Sequence, residues 1–87
     1  MKKATTTTTG EAMTYREKMF LEKVGKRLKD KRNEAGYTQM QVYVRTSITP
    51  NSVSNYEAGA RSMDLVRLHK LADCYGCKVS DFVEGVV

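Results

Sequence analysis

The chain has 87 residues and a formal charge of +5. That length suits one small domain burying on the order of 60% of its unfolded surface, and a second ligand-sensing or peptidase domain is not expected in it. No apolar run approaches the roughly 18 residues of a membrane span, and Lys2-Lys3 lead into threonines rather than a signal peptide's apolar core. A cytoplasmic protein without membrane contact is expected, with Cys74 and Cys77 reduced. The charge is uneven: residues 1–35 hold ten Lys or Arg against five Asp or Glu, and residues 36–87 hold five against five. A basic excess on one element is the footprint of a polyanion binder; it is also what a solvated helix laced with ion pairs shows.

Residues 1–13 are low in complexity, with five threonines ahead of Gly10. They have nothing to bury, so a disordered N-terminal arm is expected. Either it is inert or Lys2 and Lys3 reach along a polyanion.

Thr14 with Glu17 three residues on is a capping box, in which each side chain satisfies a backbone donor of the other residue. A helix over Tyr15–Ala35 follows, with Phe20, Val24 and Leu28 in one stripe and Tyr15, Met19 and Leu21 counted with it. Gly25 either lets a neighbouring helix approach closely or marks a break. Gly36 supplies the C-terminal stop.

Thr38 and Gln41 make a second capping box, opening a helix whose signals fade at Thr46-Ser47. Thr49-Pro50 opens another, because threonine accepts from free N–H groups and proline at the first helical position gives up a donor without a partner. Val53 and Tyr56 fall on its inner face. Pro50, Asn51, Ser52, Ser54 and Asn55 fall elsewhere and carry no charge. Short amides and hydroxyls at a helix start suit base edges, since asparagine pairs bidentately with adenine and serine serves several bases. Two helices joined by a tight turn, the second carrying such a face, form a helix-turn-helix over residues 38–57; an ordinary helical hairpin fits the same pattern.

Asp64 caps a fourth helix running to Tyr75, with Leu65, Leu68, Leu71, Ala72 and Tyr75 expected in the core, and Gly76 ends it. A fifth begins at Val79 or Ser80 and contains Phe82 and Val83. Val86-Val87 either fray or contact another subunit. Cys74-x-x-Cys77 with His69 offers three candidate ligands where a zinc site takes four, and a redox motif needs a strand–helix setting. Structural cysteines are expected. No constellation suggests catalysis, a metal or a cofactor.

Residues 20–83 resemble the phage-repressor (Cro/XRE-like) helix-turn-helix family. The resemblance is carried by Leu28, Arg32, Gly36, Thr38-Gln39, Val53-Ser54-Asn55-Tyr56-Glu57-Ala58-Gly59, Arg61 and Leu68-His69-Lys70-Leu71-Ala72. It implies an all-α, five-helix lambda-repressor-like domain over 14–85, its first helix extended at the N-terminus. It implies a structural ion pair between Arg32 and Glu57, with Arg32 also near a DNA phosphate, and puts Arg61 in a loop facing the DNA backbone and Cys77 at a small apolar core position. The chain departs from the family at Tyr43, where alanine is usual and the ring would have to fit between helices, at Ser47, where turn glycine is usual, and at Met63, where proline is usual.

Double-stranded operator DNA bound by a homodimer is the function these features imply. Pro50, Asn51, Ser52 and Asn55 are expected at bases, Gln39, Thr49 and Arg61 at phosphates, with Arg32 in support. The alternative is a protein-interaction module, such as the antitoxin half of a toxin–antitoxin pair.

Overall fold

Side-chain caps set the starts of four of the five helices in the computed structural model, which describes residues 13–86. Thr14 Oγ1 accepts from the Glu17 N–H (3.1 Å) and Glu17 Oε1 accepts from the Thr14 N–H (3.0 Å), opening α1 (Tyr15–Ala35). Thr38 and Gln41 do the same for α2 (Gln39–Thr46). Thr49 caps α3 (Pro50–Glu57) with proline in its first turn. Asp64 accepts from the Arg67 N–H (2.8 Å) and opens α4 (Leu65–Tyr75); that hydrogen bond holds its carboxyl below the usual carboxylate range. The four-residue α5 (Ser80–Val83) closes the order. The described residues are all-helical and follow the five-helix order expected. The N-terminal arm up to residue 12 and Val87 lie outside them.

The core is one cluster. Leu28, Val42, Val53, Leu71 and Phe82 are fully buried, joined by Val24, Ile48, Tyr56, Leu68 and Tyr75. The long α1 packs on α3, α4 and α5, and α2 bridges α3 and α4. Arg27 Nη1 donates to the carbonyls of Asp81 (3.1 Å) and Glu84 (2.8 Å), satisfying acceptors that the end of α5 leaves open.

Gly25 does not break α1. A Cβ at that position would stand 2.5 Å from the carbonyl oxygens of both Tyr56 and Glu57, so the glycine exists to let two backbones touch. That contact and the core residues Val24 and Leu28 seat α3 against α1.

Four expectations are corrected. Tyr15, counted with the stripe of Phe20, Val24 and Leu28, is 76% exposed, because at about 100° per residue it falls well round the helix from Val24 and Leu28. Leu65 is 77% exposed rather than core. At about 100° per residue it lies near the edge of the stripe formed by Leu68, Leu71, Ala72 and Tyr75, in a first turn with fewer neighbours. Tyr43 is exposed and does not wedge between helices, because Val42 and Thr46 occupy the inward face of α2. Val86 is buried in the core cluster and does not fray.

Thr46 was not singled out by sequence. It is buried, donates from Oγ1 to the Val42 carbonyl (2.8 Å) and accepts from the Ile48 N–H (3.1 Å), so its hydroxyl closes the α2–α3 turn. Next to it, Ser47 sits at φ 66°, the one non-glycine residue in the left-handed region among those described. A side chain there costs roughly 1–2 kcal/mol that glycine avoids, partly offset by glycine's greater unfolded freedom. Ser47→Gly is therefore expected to raise stability by about 0.5–1 kcal/mol, read from the urea midpoint at unchanged slope.

Candidate nucleic-acid interface

The first turn of α3 is built from its own side chains. Thr49 Oγ1 accepts from the Ser52 N–H (3.2 Å) and donates to Ser52 Oγ (3.0 Å). Val53 and Tyr56 are buried, which fixes the rotation of the helix and sends the opposite face outward. Asn51 and Ser54 are exposed, and Pro50, Ser52 and Asn55 are half-buried. Asn51 and Asn55 lie one turn apart on that outer face, and neither takes part in the hydrogen bonds of the helix start. Ser54, also exposed, lies beside them, about 60° round the helix from Asn51.

No acidic residue stands in the first turn of α2 or α3. The partial positive charge that a helix start carries, from N–H groups without intrahelical partners, is therefore not offset locally at either one. The outer face of α3 adds no charge. The electrostatic character here is that of two helix starts beside neutral amides and hydroxyls.

The far end of α3 is anchored by charge. Arg32 Nε donates to Glu57 Oε2 (2.6 Å) and Nη2 to Glu57 Oε1 (3.0 Å), a bidentate pair. Arg32 Nη1 donates to the Tyr37 carbonyl (2.9 Å). The side chains are 11% and 6% exposed. The hydrogen bond to Glu57 is the main cause raising the Arg32 pKa, against the opposing effect of burial. Thus one arginine on α1 fixes both the end of α3 and the loop entering α2. Each of its three donor nitrogens is engaged within the protein, so the structure places it as an anchor beneath the surface.

Gln39 opens α2 and is half-buried, with its amide directed at Glu57 Oε1 (3.4 Å). It is thereby drawn toward the same anchor. Arg61 is exposed on the loop between α3 and α4. Arg45 lies over the Tyr37 ring, 4.6 Å from its centroid.

Cys74 and Cys77 are both half-buried against the core, and burial pushes both thiols up, the opposite of what a reactive thiolate requires. His69 is exposed. No three His, Cys, Asp or Glu side chains among the described residues are grouped to hold a metal, and no described helix is long and apolar enough to cross a membrane.

Comparison with known proteins gives a consistent picture. The HTH-type transcriptional regulator ImmR of Bacillus subtilis (strain 168) is 40% identical over 62 residues, which is 71% of this chain and 48% of that protein. The chain thus spans about half the length of that curated relative. The crystal structure of the restriction-modification controller protein C.AhdI from Aeromonas hydrophila superposes with a TM-score of 0.68 at 27% identity, covering 71% of this chain and 94% of that one. The DNA-binding domain of BldD gives a TM-score of 0.69 at 26% identity, over 82% of this chain and 99% of that one. A family model for the helix-turn-helix domain matches residues 23–82, enclosing α2, α3 and their anchor on α1, and on that match the chain belongs to the helix-turn-helix domain family, in its phage-repressor (XRE-like) branch.

Proposed function

We propose that this chain is a sequence-specific, DNA-binding transcriptional regulator that works inside the cell and binds operator DNA as a homodimer. α3 enters the major groove, with Pro50, Asn51, Ser52 and Asn55 reading base edges and Ser54 joining them. Gln39, Thr49 and Arg61 hold phosphates, and Arg32 acts through Glu57 by keeping α3 in place. The observation that carries the reading is the uncharged outer face of α3, presented at a helix start and fixed from behind by a bidentate ion pair. Its neutrality matters: phosphate contacts give affinity and register, while amides and hydroxyls on base edges give specificity. The regulators among its relatives support the same reading.

Selection of bound duplex from a random pool, repeated at two salt concentrations, tests it directly. A symmetric site with half-sites roughly 34–36 Å apart is expected for a dimer. Asn55→Ala should relax preference at one base position by about 1–3 kcal/mol, whereas Arg61→Ala should weaken all sites evenly and flatten the salt dependence. Unchanged sequence preference in Asn55→Ala rejects the base-reading role.

A protein partner, as for an antitoxin, is the second reading. Met40, Tyr43 and Val44 favour it, since they leave an apolar stripe exposed on α2. Co-purification of a stoichiometric partner, lost in Val44→Asp, is its test.

A further inference from the structure

The first helix starts at Tyr15, while the family match starts at residue 23. About two turns of α1 therefore precede the part that the family model matches. They are held as helix from their first residue by the Thr14–Glu17 capping box. Just beyond this stretch Val24, Gly25 and Leu28 face the core. At about 100° per residue, the opposite face is centred on Met19 and flanked by Tyr15, Arg16, Glu22 and Lys23. Tyr15 is 76% exposed and Met19 half-buried, and a groove of about 600 Å³ flanks this face, lined by Tyr15, Arg16, Met19 and Lys23 from it and by Phe20 and Val86 from the core side. Most of the Tyr15 surface is thus left uncovered by its own chain.

We propose that this face is the contact between two copies of the chain, crossing antiparallel at Met19. This names the interface of the homodimer and rests on the homodimer reading above. The charge pattern argues for it. A two-fold axis at Met19 brings positions equally far before and after it into opposition. Arg16 then meets the partner's Glu22, and Tyr15 meets the partner's Lys23. Both pairs are attractive, one ionic and one between an ammonium and an aromatic face, and the symmetry makes each occur twice. Parallel pairing would set Arg16 against arginine and Glu22 against glutamate. Sequence order alone therefore makes the face self-complementary in one orientation and self-repelling in the other. A contact of two to three helical turns buries less than the roughly 1,600 Å² of a standard stable interface. The dimer is accordingly weak in free solution and assembles most fully where two half-sites hold the copies together.

Sedimentation of charge-reversal variants tests this. Arg16→Glu and Glu22→Arg each place like charges in both pairs, so each is expected to run as a monomer where the wild type is dimeric. Mixed in equal amounts they form a pair in which every contact is again opposite in sign, and the dimer is expected to return. The double variant R16E/E22R should dimerise like the wild type. Unchanged thermal melts confirm that these exposed substitutions leave the fold intact. The proposal is overturned if either single variant dimerises normally, if the mixture stays monomeric, or if the wild type is monomeric even on a selected symmetric duplex. Wild-type protein that binds duplex as a dimer insensitive to both reversals keeps the DNA reading and removes this interface. A dimer sensitive to the reversals that binds no duplex keeps the interface and removes the DNA reading.

Discussion

Glu57→Ala is expected to destabilise the folded chain by about 3–5 kcal/mol, the largest loss among the substitutions considered. The carboxylate is 6% exposed and takes two hydrogen bonds from Arg32, at 2.6 and 3.0 Å. Removing it leaves a guanidinium that is itself 11% exposed with no anion beside it. The desolvation of Arg32 then goes uncompensated, and this residual charge, more than the lost attraction, sets the size of the effect. A small domain has roughly 5–15 kcal/mol of stability in total, so partial unfolding near 37 °C follows. The reciprocal experiment separates the two contributions. Arg32→Met combined with Glu57→Leu removes both charges and fills the space with apolar atoms, and it should cost far less than either single change. Urea unfolding of wild type, both singles and the double yields the coupling directly. Singles costing no more than about 1 kcal/mol would class the pair with ordinary surface ion pairs. The double variant is informative in a second way. If it folds but binds DNA less tightly, the pair serves to orient α3.

How much of this was legible in the sequence depended on the range of the interaction. The capping boxes at Thr14–Glu17 and Thr38–Gln41 are contacts three residues apart, and pattern reading places such starts well. The outward direction of Asn51 and Asn55 follows from Val53 and Tyr56 being apolar, because one helix face determines the other. Leu65 misled because it continues the apolar stripe of α4 while standing at its edge and end, where burial depends on neighbours from elsewhere in the chain. Tyr43 misled because a family position usually filled by alanine suggested a tight interior, yet here that face of α2 turns to solvent. Thr46 gave no usable signal: a threonine near a helix end is equally suited to solvent, and only the fold shows its hydroxyl bridging Val42 and Ile48. Gln39 was expected at a phosphate. Its amide also leans toward Glu57, 18 residues on, a direction that no local pattern encodes.

Gly25 is the residue for which that limit matters most, and Gly25→Val is expected to cost about 3 kcal/mol. In a helix interior, replacing glycine by alanine normally gains about 1 kcal/mol, so a sequence-based design would treat this position as an improvement site. The structure reverses the sign. An added Cβ would stand 2.5 Å from two carbonyl oxygens of α3, where ordinary contact begins near 3.4 Å. The obstructing atoms are backbone, so no side-chain rotation relieves the overlap. The last turn of α3 must retreat by nearly an ångström, and it cannot do so freely, because Glu57 in that turn is held by Arg32 of α1, the helix that carries Gly25. One contact pushes the helix end away while the other holds it. Alanine should cost roughly 1–2 kcal/mol after its propensity gain; valine loses that gain and adds two methyl groups. DNA affinity is the more sensitive measure. Tilting α3 by its C-terminal end moves Asn51 and Asn55 together, so Gly25→Ala that is still fully folded at 20 °C should bind a selected site at least tenfold more weakly than the wild type. Binding at wild-type strength, with a melting temperature raised as for an ordinary helix, would mean that α3 is not seated by this backbone contact.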